Sequence, residues 1–93
     1  MTSIYRLALS TQFKKDLKKA RKQEKNITKL EVVLDLLSNG DELPAHYRNH
    51  LLTGNWQGYS ECHIEPDWLL IYRINDDSIY LARLSSHSDL FKK

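Results

Sequence analysis

The side chains best suited to chemistry lie in the second half of this chain, between residues 46 and 91. This segment holds all four histidines, with an acid, an arginine and two aromatic rings near them: His46, His50, His63, His87, Asp67, Arg83, Trp68 and Phe91. Histidine exchanges protons near neutral pH, and arginine is a permanent cation that binds phosphate through two parallel hydrogen bonds. Proton-transfer groups, a fixed cation and aromatic rings are what a small protein needs to bind and cut RNA without a metal.

RNA supplies its own nucleophile, the 2′-hydroxyl beside each phosphate. A protein that uses it must deprotonate that hydroxyl, stabilise the extra charge on the phosphorane and protonate the departing 5′-oxygen. We expect Arg83 to hold the phosphoryl oxygens, and Trp68 and Phe91 to stack on splayed bases. DNA lacks the 2′-hydroxyl, so this chemistry favours RNA as the substrate.

The predicted strands bring several of these residues to one place. His63 ends one predicted strand, and Asp67 opens the next one after a tight turn. If the last strand runs antiparallel beside the central one, it returns Arg83 and His87 to the same edge of the sheet. The sequence therefore predicts that these groups converge at one rim.

Each residue also has an ordinary structural explanation. A single loop histidine is most often a surface residue. Asp67 after Pro66 suits a turn for backbone reasons alone. Trp68 suits a core, and Arg83 suits an ion pair with Glu61 or with another acid across the strands.

Metal binding and a cysteine nucleophile are the competing chemistries. His46 and His50 have the i, i+4 spacing that chelates zinc on a helix. The remaining ligands would have to come from scattered residues, namely Cys62, His63 or Asp67, with no paired-cysteine or HExxH pattern nearby. We therefore predict no metal site. Cys62 alternates onto the strand face opposite His63, which predicts a core position for its thiol.

Hydrophobic periodicity predicts an α+β domain in the order β-α-α-β-β-β. A strand over 4–9 is followed by an amphipathic helix capped at Ser10 or Thr11, and a capping box at Thr28 begins a second helix. Residues 40–57 are predicted to form a long loop with one helical turn around 45–48. The remaining strands are predicted at 58–64, 68–72 and 78–84. Together they predict a mostly antiparallel sheet with a helical hairpin on one face.

The first predicted helix carries a basic surface. Residues 13–25 contain seven basic and two acidic side chains, a net charge of +5, whereas the whole chain has a net charge of +2. Such a run is often a solvated face, but it also suits non-specific contact with phosphates. The candidate RNA-binding lysines are Lys14, Lys15, Lys18, Lys19, Lys22 and Lys25.

Length and composition limit the possible sites and the compartment. The 93 residues are predicted to form a single domain over 1–93. A chain of this size buries one core and leaves a shallow groove, which suits a polymer better than a small metabolite. A single cysteine, no recognisable leader and no run long enough to span a bilayer predict a cytoplasmic protein.

Taken with these residues, the chain resembles the YafQ branch of the RelE/ParE toxins of bacterial toxin–antitoxin systems. The resemblance covers essentially the whole length. It is strongest in Leu43-Pro44, in HLLTGNWQGY at 50–59 and in HIEPDWLLIY at 63–72. The His-x-Glu-Pro-Asp-Trp segment followed by an apolar strand is specific to this branch.

This resemblance implies a RelE-like fold and a ribosome-dependent endoribonuclease that cuts messenger RNA in the decoding site. It carries functional roles to His50, His63, Asp67, Trp68, Arg83, His87 and Phe91. We expect His87 to be the leading proton-transfer group, with Asp67 or a neighbouring histidine as its complement. Which of them is the acid and which the base stays open, and no cofactor is expected.

The resemblance also implies partners. They are a cognate antitoxin, the ribosome with its 16S RNA and messenger, and operator DNA bound through the toxin–antitoxin complex. Two alternatives remain: a non-catalytic inhibitor of DNA gyrase like the ParE branch, or a binding module that acts only as a co-repressor.

Overall fold

A five-stranded sheet organises the fold in this computed structural model, which describes residues 4–91. Its strands are β1 Arg6–Leu9, β2 His50–Leu51, β3 Ser60–Glu65, β4 Trp68–Ile74 and β5 Ser78–Ser85, in the spatial order β1-β5-β4-β3-β2. The helices are α1 Thr11–Lys22, α2 Ile27–Ser38 and α3 His87–Leu90. The β1–β5 pairing is parallel and the other three pairings are antiparallel. The predicted α+β class and mostly antiparallel sheet are confirmed.

Both long helices begin at polar caps. The Ser10 hydroxyl accepts a hydrogen bond from the Phe13 N–H at 2.9 Å, as predicted for α1. The cap of α2 is Asn26, whose side chain accepts from the Lys29 N–H at 3.4 Å, so the predicted cap at Thr28 is wrong. Asparagine caps at least as well as threonine, and the earlier start brings one more apolar side chain against the core. Within residues 4–91, none of the helices is long and apolar enough to cross a membrane.

The core lies between the two long helices and one face of the sheet. Its buried side chains include Phe13, Ala20, Leu30, Val33, Leu37, Cys62, Ile64, Trp68, Leu70, Tyr72, Ile79, Leu81 and Leu84. Trp68 is only 2% exposed. The prediction that its ring stacks on an RNA base is therefore wrong for this conformation, because the large apolar ring is already packed inside the protein.

The opposite face of the sheet, called the functional face below, carries three of the predicted site residues, His50, His63 and Arg83. Directly paired residues of an antiparallel ladder point to the same face, and Ile71 pairs with Glu61 on one side and Arg83 on the other. The register of β5 shifts by one residue at Ala82, which forms a β-bulge. Without this extra residue Arg83 would point towards the helices, so the bulge aims it at the functional face.

Residues 40–57 form the predicted long connection, but they contain short regular elements. A 3₁₀ turn at Ala45–Tyr47 matches the predicted helical turn, and a second lies at Gly54–Trp56. Between them, β2 adds the edge strand of the sheet, which the sequence did not predict. Its two residues are too few to show an alternating pattern.

Two buried side chains of the core that titrate at high pH, a thiol and a phenol, give a prediction for stability in alkaline solution. Burial raises the pKa of the Cys62 thiol from 9.0 to about 12 and that of the Tyr72 phenol from 10.0 to about 12. Between pH 9 and 12 the unfolded chain loses protons that the folded chain retains, so stability falls as pH rises. We expect each group to contribute a slope of up to about 1.4 kcal/mol per pH unit in this window.

Urea unfolding at pH 8, 9.5 and 10.5 measures this slope. Cys62→Ala should reduce the loss between pH 9 and 10, whatever the variant's stability at pH 8. An unfolding midpoint that stays constant to pH 10.5 would contradict the prediction. The same raised pKa leaves Cys62 protonated and unreactive, which agrees with its predicted core position.

Candidate active site

A row of four residues crosses the sheet on the functional face. It consists of His50 on β2, Glu61 on β3, Ile71 on β4 and Arg83 on β5, each paired with the next. Strands in a sheet lie about 4.8 Å apart, so the backbones of Glu61 and Arg83 are separated by about 10 Å. The adjacent row consists of His63, Leu69 and Ser85. It lies nearer the rim, which is the edge of the sheet where β3 ends, β4 begins and β5 ends.

Glu61 is the buried acid between two imidazoles. Its side chain is 5% exposed, and its Oε1 lies 3.3 Å from His50 Nε2 and 3.7 Å from His63 Nε2. Its Oε2 is buried and has no hydrogen-bond partner among residues 4–91. A buried carboxylate is costly without compensating charge, so the two histidines are its natural counter-groups.

The other nitrogen of each imidazole fixes the tautomer. His50 Nδ1 lies 2.8 Å from the Arg48 carbonyl, and His63 Nδ1 lies 3.4 Å from the Pro66 carbonyl. A carbonyl oxygen only accepts, so each Nδ1 carries the proton, and a neutral ring turns the Nε2 lone pair towards Glu61. Each Nε2 therefore faces the acid and is the ring nitrogen available for proton transfer at this site.

Tyr72 anchors the segment that carries His50. Its hydroxyl donates a 2.7 Å hydrogen bond to Asn49 Oδ1, next to His50 in the chain. Because burial raises the Tyr72 pKa to about 12, this hydroxyl keeps its proton throughout the physiological range. The core thus fixes the position of the short edge strand β2.

Asp67 and His87 meet at the rim. Asp67 Oδ1 accepts a 2.9 Å hydrogen bond from the backbone N–H of His87, the first residue of α3. The His87 ring is exposed and packs on the Phe91 ring, with centroids 4.9 Å apart. Asp67 therefore positions the segment that carries the His87 imidazole and does not contact the ring's nitrogens in this conformation.

The turn between β3 and β4 connects the Glu61–histidine group with the Asp67–His87 contact at the rim. Its first residue, Pro66, offers the carbonyl that contacts His63, and its second, Asp67, binds the backbone of His87. His63 therefore contacts the turn that carries Asp67 through the residue before it. The antiparallel β4–β5 pairing also returns the end of β5 to this rim, as predicted.

Arg83 is paired with an acid that the sequence did not indicate. Its Nε lies 2.8 Å from Asp16 Oδ2, and its Nη2 lies 3.3 Å from Asp16 Oδ1. The alternative prediction of a pair with Glu61 is wrong, although an acid does bind it. Asp16 lies on α1, and Arg83 reaches it at the edge of β5 beyond the end of β1.

The basic surface of α1 is largely free for a partner. Lys14, Lys15, Lys18 and Lys22 are exposed. Lys19 differs because its Nζ lies 3.5 Å from Asp89 on α3, and Lys25 lies over the Trp68 ring at 5.9 Å from the centroid. A hydrogen bond from Ser85 and the charge of Lys19 lower the pKa of Asp89, so this acid is ionised when it holds α3 to α1.

His46 and His50 lie on a 3₁₀ turn and on a strand, so the helical i, i+4 spacing does not apply to them. The His46 ring packs on Tyr47 at 4.1 Å between centroids. Among residues 4–91 no cluster of three or more histidine, cysteine or acidic side chains is arranged to hold a metal. A groove of ≈ 300 Å³ between α2 and β3 is lined by Lys29, His46, Arg48, His63, Ile64, Glu65 and Pro66.

Sequence reasoning missed the parts played by Glu61 and Asp16. Glu61 alternates onto the face of His63, two residues away, and an acid beside a histidine on one strand face was a usable signal. Asp16 stands among the lysines of α1, yet it falls on the apolar side with Phe13 and Ala20 and is buried with them. A charged residue at an apolar position of a helix was the available signal there.

Comparisons with known proteins agree with this architecture. Residues 5–92 match the family model described as "Bacterial toxin of type II toxin-antitoxin system, YafQ". The mRNA interferase toxin YafQ of Escherichia coli K12 is 43% identical over 83 residues, which is 88% of this chain and 90% of that protein.

Two solved structures share the fold. In the crystal structure of the E. coli DinJ-YafQ toxin-antitoxin complex, the matching chain has a TM-score of 0.88 and 40% identity, over 95% of this chain and 98% of that one. A metal-bound toxin from Helicobacter pylori matches with a TM-score of 0.88 and 36% identity, over 94% and 99% of the two chains. The sheet, its rim and the sequence match together place this chain in the YafQ family of type II toxin–antitoxin toxins.

Proposed function

We propose that this protein is an endoribonuclease that cuts messenger RNA on the ribosome by metal-free acid–base catalysis. The observation that carries the proposal is the Glu61 carboxylate between two imidazoles, in the same row of the sheet as Arg83. The mRNA interferase activity named for the E. coli relative supports the same substrate. No cofactor is part of the proposal.

The proton transfers are assigned from the geometry. His63 Nε2 lies farther from Glu61 than His50 Nε2 does, at 3.7 Å against 3.3 Å, and accepts the proton of the 2′-hydroxyl. The 2′-oxygen bonds to phosphorus, Arg83 stabilises the phosphorane oxygens, and His87 protonates the departing 5′-oxygen. The bond from phosphorus to the 5′-oxygen breaks, which leaves a 2′,3′-cyclic phosphate and a 5′-hydroxyl.

The openness of the site supports a requirement for the ribosome. His50 is half exposed and His87 lies on an open rim, so the protein alone does not enclose a nucleotide. A strand held in the decoding site would be presented in a fixed conformation, which supplies the orientation that the shallow groove lacks. The exposed lysines of α1 would bind the surrounding 16S RNA, and Phe91 would stack on the message.

The partners follow from the same family membership. The E. coli relative is found in a complex with DinJ. We propose that this protein likewise binds a cognate antitoxin that blocks the rim, and that the complex binds operator DNA. The antitoxin would also stabilise the toxin by mass action, because it binds only the folded state.

A gyrase inhibitor of the ParE type is the second candidate. It needs a binding surface but no proton-transfer groups, so the buried Glu61 with an unpartnered oxygen would be a cost without a use. This argues against the alternative, as it does against a pure co-repressor.

Mapping RNA ends after induction tests the proposed function. We expect messenger fragments with 5′-hydroxyl ends, produced equally with and without a chelator selective for transition metals, in purified ribosome complexes kept in Mg²⁺. Intact messenger together with a DNA-damage response would favour gyrase inhibition. Cleavage lost on chelation and restored by metal would overturn the metal-free mechanism, which is a sharp question because an H. pylori relative has been solved with metal bound.

The lysine stripe gives a separate prediction about affinity. Lys14, Lys18 and Lys22 follow one another at i, i+4 and i+8 and therefore share one face of α1. Lys18→Ala should weaken ribosome binding and reduce the slope of log K against log salt by about 1. Cleavage at saturating protein should not change. Arg6→Ala, an exposed cation on β1, is the control, and an equal effect there would contradict a specific role for the stripe.

A further inference from the structure

Asp16 is a charged residue in the buried face of α1. It is 7% exposed and lies on the same side of the helix as Phe13 and Ala20. Its two oxygens accept four hydrogen bonds: from Arg83 Nε at 2.8 Å and Leu84 N at 2.9 Å on Oδ2, and from Arg83 Nη2 at 3.3 Å and Gln12 Nε2 at 3.1 Å on Oδ1. This acid is therefore fully satisfied, in contrast to Glu61.

The geometry of the Arg83 contact leaves part of the guanidinium unused. The bonds to Asp16 occupy the Nε–H and one N–H of Nη2, which form one edge of the planar group. A guanidinium has five N–H groups, so the two on Nη1 and the second on Nη2 remain. These three include a second parallel pair, the arrangement that binds two oxygens of a phosphate. The Arg83 side chain is 25% exposed, so solvent reaches it.

Asp16 also stabilises the strand on which Arg83 lies. β1 pairs with β5 only as far as Leu81, so the following residues of β5 lack a neighbouring strand on that side. The Leu84 N–H donates to Asp16 instead, and Arg83 follows directly on the Ala82 bulge. One carboxylate thus fixes both the backbone after the bulge and one edge of the guanidinium.

An apolar side chain at this position would be the simpler way to fill a core. Replacing a buried ion pair by apolar residues is often neutral or stabilising, so a buried pair is weak evidence of a contribution to stability. We propose that Asp16 is a positioning residue for RNA cleavage: it holds Arg83 by one edge so that the opposite edge meets the scissile phosphate. This inference rests on the proposed function, in which Arg83 stabilises the phosphorane.

Asp16→Asn is the informative substitution. The amide keeps the size of the side chain and an oxygen for the Leu84 N–H, but its NH₂ group cannot accept from the guanidinium. We expect kcat for cleavage of a message on programmed ribosomes to fall about 10- to 100-fold, with KM within about twofold of wild type, because Arg83 acts most strongly in the transition state. Gln12→Ala removes the Gln12 hydrogen bond to Asp16 Oδ1 and keeps both bonds from Arg83, so it should leave kcat within about threefold of wild type.

A double-mutant cycle separates positioning from support of the fold. In an Arg83→Gln background, Asp16→Asn should cost less than about twofold in kcat, since no guanidinium remains to be positioned. The same fold-loss in both backgrounds would overturn the inference, because it would indicate a structural role independent of Arg83. If Asp16→Asn fails to fold, Asp16→Glu keeps the charge but displaces it by one methylene and should give the same pattern.

The outcomes also distinguish this inference from the proposed function. A wild-type protein that cuts no message on ribosomes would refute the proposed function itself. Cleavage that depends on Arg83 but is unchanged in Asp16→Asn would refute only the role of Asp16.

Discussion

His87→Gln is expected to lower messenger cleavage by about 10²- to 10⁴-fold, the range typical of losing a general acid or base. Glutamine has a polar side chain that hydrogen-bonds but does not titrate, so the departing 5′-oxygen would leave without a proton donor. The backbone N–H that Asp67 binds is retained, and the exposed ring packs on Phe91. Stability should change by less than about 0.5 kcal/mol, as for most surface substitutions.

Single-turnover cleavage on programmed ribosomes, with thermal unfolding measured in parallel, checks this expectation. His46→Gln is the matched control, since it makes the same exchange at an exposed histidine that packs on Tyr47. We expect wild-type cleavage in that control. Full cleavage in His87→Gln, or an equal loss in both variants, would remove His87 from the mechanism.

Asp67 should prove secondary to His87. It holds the backbone of His87 and not its ring, so Asp67→Ala should slow cleavage by letting the start of α3 move. In a His87→Gln background that substitution should add little, because there is no proton donor left to position.

The sequence predicted those parts of the molecule that depend on local patterns. The apolar spacing of α1 and α2 follows from burial of one helix face, and the central strand β4 is apolar on both faces because both are covered. The rim was predicted for a topological reason: antiparallel neighbours return their ends to the same edge. His63, Asp67 and His87 were placed correctly by that rule alone.

The parts that failed depend on single residues whose effect is set far away in the chain. The Ala82 bulge decides which face Arg83 occupies, and simple alternation cannot show an inserted residue. The partner of Arg83 is 67 positions away on another element. Trp68 illustrates a different limit: residue type says that a ring is able to stack, but its 2% exposure comes from packing that only the assembled fold defines.

Glu61 is the site residue at which function and stability should oppose each other. Its buried Oε2 has no hydrogen-bond partner within residues 4–91, which costs free energy that an uncharged side chain of the same size would not lose in full. Removing one member of a buried ion pair normally strands the other charge, but an imidazole also has a neutral form, so neither histidine has to stay charged once the carboxylate is gone. We therefore expect Glu61→Gln to be at least as stable as wild type, with a free energy of unfolding equal or higher by up to about 1 kcal/mol.

Messenger cleavage by Glu61→Gln should fall, although its stability should not. Without the carboxylate, a proton taken from the 2′-hydroxyl onto His63 has no nearby anion to stabilise it, so we expect cleavage to fall by about 10- to 100-fold. Urea unfolding and single-turnover cleavage of the same preparations measure the two quantities. Glu65→Gln on the same strand is the control, because its carboxylate pairs with Lys29 on α2 and does not contact the imidazoles. If Glu61→Gln were clearly less stable than wild type, while an excess of the folded variant still cut the message at the wild-type rate, the acid would be a structural element with no part in the proton transfer.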